Sequence, residues 1–133
     1  MRNERGVSAV EFAIVLPFLI LLLFGIIEFS LILYDKAMLT NASREGARAD
    51  IVAQFVRVTK PEIDAIVQSY CKDHLVTFGT STPSTDVTWT GFSFGDDLTV
   101  TVRYSYDFLL LPKFALGLMG PLDLTATTVM RME

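Results

Sequence analysis

No side chain between Phe12 and Ile27 carries a charge (FAIVLPFLILLLFGII), and the wider span Val7–Tyr34 adds only two carboxylates, Glu11 and Glu28. A helix over that span is roughly 42 Å long, enough to cross the hydrocarbon core and both interfaces of a bilayer. Lipid offers the backbone no water, so a single span has to be helical. Pro17 removes one internal hydrogen bond and marks a place for a kink, with Gly25 a second soft point. The sequence therefore predicts a transmembrane helix over residues 7–34. A cleaved secretory signal fits less well. Arg2 and Arg5 form a basic start, but the apolar run is long, and the nearest A-x-A pattern, Ala47-Arg48-Ala49, lies about 20 residues too far on.

The rest of the 133-residue chain suffices for one small domain. Apolar residues make up 51% and charged residues 20%, with a mean hydropathy of +0.45, which excludes a disordered chain. A net charge of −4 gives no basic footprint for nucleic acid, and none is expected as a partner. One Cys and one His exclude a disulfide framework and a Cys/His zinc cluster within one chain. No phosphate-binding loop, nucleophile elbow, zinc-protease helix or EF-hand loop is present. Cys71 and His74, three apart, could touch on a helix but have no orienting group in sequence. Asp96-Asp97 reads as a solvated turn. No catalytic residue, cofactor or metal is expected, and the chain does not read as an enzyme.

Before the apolar run, Arg2, Arg5 and the initial amino group outweigh Glu4. After it, Asp35, Lys36, Arg44, Glu45, Arg48 and Asp50 sum to zero. That asymmetry predicts a cytoplasmic N-terminus, with the rest of the chain outside.

Glu11 is costly in lipid unless paired, although a carboxylate in the first turns of a helix is welcome at its dipole. Its setting is specific: Arg5-Gly6, then Val7-Ser8-Ala9-Val10-Glu11-Phe12. This resembles a prepilin processing site, in which a basic leader ends in Gly and Glu is the fifth residue of the mature chain. Pro17, Ile27-Glu28-Phe29 and Ala42-Ser43-Arg44-Glu45-Gly46-Ala47-Arg48 extend the resemblance over roughly the first 50 residues, to the TadE-like pseudopilins of bacterial tight-adherence (Tad) pilus systems.

The resemblance implies a leader of residues 1–6, cut between Gly6 and Val7 by a prepilin peptidase. It further implies a periplasmic pilin-like domain over residues 35–133, and as partners the major pilin, other minor pilins, the inner-membrane assembly platform and the lipid bilayer. Loss of Arg2, Glu4 and Arg5 would move the net charge from −4 to −5. The new amino group on Val7, with a pKa of about 7.7–8, would lie one turn from Glu11. Glu11 of one subunit could then neutralise the ammonium of a neighbour and set register. Glu28, about 25 Å further along the helix, falls near the far interface. It reads equally well as snorkelling to water or as contacting a partner.

Leu39, Ala42, Gly46, Ala49, Ala53 and Val56 are spaced 3, 4, 3, 4, 3. That small-residue stripe reads first as packing on the chain's own domain. Arg44, Arg48 and Arg57 lie off it, with Glu45 placed to pair with Arg48, and the long helix is expected to end near Arg57. Thr59-Lys60-Pro61-Glu62 reads as a capping box opening a second helix that ends near Val76. Its apolar face carries Ile63, Ile66, Val67, Tyr70, Cys71 and His74, with Cys71 a buried thiol.

Residues 79–85 read as a polar loop. A strand follows from Val87 through Phe94, with a bulge at Gly91, and a turn at Gly95-Asp96-Asp97. Leu98, Val100, Val102, Tyr104 and Tyr106 alternate with polar residues, the clearest strand in the chain, and form a hairpin with the first. Residues 122–132 make a weaker third strand. The apolar segment 108–121 is too broken to span a membrane and reads as a partly buried loop with a short helix. The expected fold is α+β, pilin-like: a long N-terminal helix on a small antiparallel sheet, with an accessory helix. Two functions fit it. One is a non-enzymatic minor pseudopilin of a Tad-type adhesion pilus or secretion pseudopilus. The other is an unprocessed single-pass anchor carrying a small periplasmic binding or signalling domain.

Overall fold

The computed structural model describes residues 4–52, 58–109 and 122–132. Helix α1, Glu4–Val52, is 49 residues long and runs through Pro17 without interruption. Helix α2, Lys60–His74, follows. Strands β1 (Ser84–Trp89), β2 (Asp97–Tyr106) and β3 (Leu122–Arg131) form one antiparallel sheet in the order β1-β2-β3. The fold is therefore α+β, as expected from the sequence.

The central strand organises the core. Its register is unbroken across ten pairs with β3, and six pairs join it to β1. Leu98, Val100, Val102, Tyr104 and Tyr106 all turn inward and are buried, so strict alternation in the sequence becomes one apolar face. Val87 of β1 and Leu124 and Ala126 of β3 complete that face. Leu39, Ala42 and Ala47 of α1 and Ile63, Val67 and Cys71 of α2 cover it. From Leu39 to Gly46 the small-residue stripe is thus occupied by the chain's own domain, while Ala53 and Val56 lie outside the described residues. A Cβ added at Gly46 would lie 2.7 Å from Val67 Cγ2 and 3.3 Å from Ile63 Cγ2, so glycine is what lets α2 come this close.

Glu62 starts α2 as the capping signal requires. Its carboxylate accepts the Thr59 backbone N–H at 2.7 Å and the Thr59 hydroxyl at 2.9 Å. His74, expected on the buried face, is exposed; it stacks on Tyr70 with ring centroids 4.2 Å apart.

The first strand also differs from expectation. It starts at Ser84, inside the expected polar loop, and stops at Trp89. No bulge carries it on to Phe94. Residues 90–96 form a tight connection instead, in which Thr90 N–H bonds the Asp97 carbonyl, Ser93 N–H bonds Asp96 Oδ2, and Gly95 takes a φ of +92°. Phe92 and Phe94 project from this connection, 71% and 86% exposed. The Glu45–Arg48 pair does not form; the ion pairs among the described residues are Lys60–Asp86 and Arg131–Asp97, both on the surface. The expected end of the long helix at residues 53–57 and most of the apolar segment 108–121 lie outside the described residues.

Candidate functional site

Burial divides α1 into two parts. From Gly6 to Ile27 no residue is buried, and Phe12, Phe18 and Leu22 are each more than half exposed. This bare length is about 33 Å of helix, close to the thickness of a bilayer's hydrocarbon core. It is the one helix among the described residues long and apolar enough to cross a membrane. Such a surface has no favourable partner in water, since the hydrophobic effect drives apolar area of this extent out of it.

The expected site residues distribute along this helix. Gly6 and Val7 are helical and exposed, and Glu11 lies on the next turn, also exposed and without a hydrogen bond or ion pair among the described residues. The structure brings none of these three to the globular part. Glu28 is different. It is the first buried residue of α1, with 1% of its surface accessible. Oε1 accepts the Tyr106 hydroxyl at 2.9 Å and the Leu109 backbone N–H at 3.0 Å. Its carboxylate is turned into the chain's own fold. The Tyr106 phenol is correspondingly hard to ionise, through its burial first and the Glu28 carboxylate it bonds second.

Two further carboxylates on α1 play the same part. Asp35, fully buried, accepts the Val76 backbone N–H at 3.0 Å on Oδ1. Asp50 accepts the Val58 N–H at 3.1 Å on Oδ1 and the Trp89 indole N–H at 2.9 Å on Oδ2. Each acid satisfies a donor at the end of another element: after β2, after α2, and before α2 together with the end of β1. Buried donors left unpaired are expensive, so these bonds fix where the connections cross α1. Ser43 joins the same row, bonding the Thr128 hydroxyl of β3 at 2.6 Å, and Lys36 donates to the Thr125 backbone carbonyl.

Sequence reasoning counted Asp35 and Asp50 only as charges. The available signal was spacing: 28, 35 and 50 lie within an arc of about 60° on a helix.

Elsewhere the described surface has open grooves of about 450 and 520 Å³. One lies beside Arg103 and Asp123, the other between α2 and residues 81–83 over Cys71. Burial pushes the Cys71 thiol up to about 11. Among the described residues no three His, Cys, Asp or Glu side chains converge as metal ligands.

A small α+β domain carried on one long helix, bare and apolar over a bilayer's thickness, is the build of a single-pass membrane protein. Residues 6–48 match the family model described as TadE-like protein, the family that the Gly6–Glu11 and Ala42–Arg48 motifs resemble. The match covers the N-terminal third of the chain, which is thus similar to TadE-like proteins. No curated protein and no solved structure matches the chain.

Proposed function

We propose that the protein is a minor pseudopilin of a Tad-type pilus or secretion pseudopilus. In this reading a prepilin peptidase removes residues 1–6, and the mature chain waits in the inner membrane with its domain in the periplasm. It then joins or primes a filament with the major pilin and other minor pilins. The observation that supports the reading best is the bare helix from Gly6 to Ile27, which carries Glu11 one turn from Val7 and has no cover of its own. A membrane-resident subunit can keep that surface in lipid, and a filament subunit can bury it against its neighbours. The match over residues 6–48 supports the same assignment.

The test is the intact mass of protein recovered from native membranes, paired with a Glu11→Ala variant. A mature N-terminus at Val7 and a variant that inserts in the membrane but forms no filament are the expected results. A chain beginning at Met1 whose Glu11→Ala variant behaves as wild type would instead identify the second reading, a single-pass anchor whose domain never polymerises.

A further inference from the structure

Within the row of carboxylates on α1, Asp35 has the least complete set of partners. Glu28 and Asp50 each accept two hydrogen bonds from other elements. Asp35 is wholly inaccessible, accepts one bond on Oδ1, and its Oδ2 is buried with no hydrogen-bond partner among the described residues. A carboxylate in that position lacks the two or three donors that would replace its water.

Among the described residues no cation neutralises it. On its own helix the next charge along the buried face is Glu28, and the adjacent Lys36 is exposed and reaches the Thr125 carbonyl of β3. From β2 the groups that feel Asp35 are the phenols of Tyr104 and Tyr106. Tyr104 also feels Asp107, and Tyr106 also feels Glu28. From α2 the buried titratable side chain is the Cys71 thiol, while Lys72, Asp73 and His74 are exposed. The described surroundings are therefore acidic or neutral. Burial accordingly raises the Asp35 carboxyl above its ordinary value, against the lowering by the Val76 N–H.

We propose that Asp35 is a proton-operated clasp between the long helix and the end of α2. When it is protonated, the junction at Val76 is held closed and dry. When it is ionised, Oδ2 demands water, and the α2–β1 connection loosens from α1. The clasp belongs to the described fold and stands whether or not the chain joins a filament.

The direction follows from linkage. The closed junction binds the proton more tightly than the open one. Closure is therefore strongest below the ordinary carboxylate value and weakens as pH rises to the elevated one, about tenfold in the opening constant per pH unit across that window, and is level above it.

The experiment uses the full chain in lipid nanodiscs with carboxyl-¹³C aspartate. The Asp35 resonance is assigned by its loss in Asp35→Asn and titrated from pH 3.5 to 7.5. Exchange protection at the Val76 amide, corrected for intrinsic rates, is read over the same range. The expected result is an Asp35 midpoint above the ordinary aspartate value, with Val76 protection falling as pH rises toward that midpoint and levelling above it. A wild-type midpoint at or below the ordinary value overturns the proposal whatever the variant does. So does Val76 protection that stays level across a raised midpoint. If Asp35→Asn folds, a level Val76 profile is expected of it, and a profile that falls as in the wild type overturns the clasp.

Discussion

At position 46 the long helix carries no Cβ, and the Val67 methyl lies 2.7 Å from where one would be. Alanine would favour an isolated helix by about 1 kcal/mol, but here the added methyl meets a stiff, β-branched neighbour that is itself fully buried. Overpacking a closed contact costs about 1–3 kcal/mol, so the clash outweighs the propensity. Gly46→Ala is expected to lower the stability of the detergent-solubilised protein by about 1–2 kcal/mol in a urea titration. Val67→Ala is expected to restore part of that loss when combined with it, the signature of two groups in direct contact. The composition of the stripe was visible in the sequence. Which element of the chain's own domain filled it was not, because small residues permit close approach by any backbone.

The two helices respond oppositely to acid. Glu62 accepts both the N–H and the hydroxyl of Thr59, and those bonds hold its carboxyl below the ordinary range. A lowered folded value means that its contribution to α2 is complete above the unfolded value of 4.5. It is lost as pH falls through the folded one. Asp35 has the reverse sign, since its raised value makes ionisation the unfavourable state. A global acid titration would sum the two, so they must be read locally. Amide protection in the first turn of α2 is expected to fall with acid in the wild-type protein, and to be low at every pH in Glu62→Ala. Unchanged protection in that variant would mean that Pro61 and packing alone start the helix. This cap was legible because both of its members lie within four residues.

For the molecule as a whole, the division of α1 at Glu28 is the governing fact. Residues 6–27 contribute no buried side chain, whereas the helix from Glu28 onward supplies one wall of the core. A chain shortened to begin at Ile26 is therefore expected to remain folded without detergent, with a melting midpoint close to that of the full chain in nanodiscs. Adding Glu28→Ala to it is expected to lower that midpoint by several degrees, since the Tyr106 hydroxyl and the Leu109 N–H would lose their acceptor. Aggregation of the shortened chain, with its core otherwise intact, would show that the bare helix covers more of the domain than its burial indicates.

Local periodicity and apolar length were enough, in the sequence alone, to determine the membrane-length helix, the cap of α2, the alternation of β2 and the α+β class. Each depends on spacing within one element. The motif around Gly6 and Glu11 was legible for the same reason. Only the tertiary structure decided the fate of the acids on α1. A glutamate or aspartate on a helix reads identically whether it faces water, lipid or a buried donor, and the donors to Glu28, Asp35 and Asp50 come from residues 8 to 81 positions away. Where β1 stops was also a tertiary matter. Pairing with β2 and the bond from Trp89 to Asp50 end the strand before two phenylalanines whose alternation would have continued it.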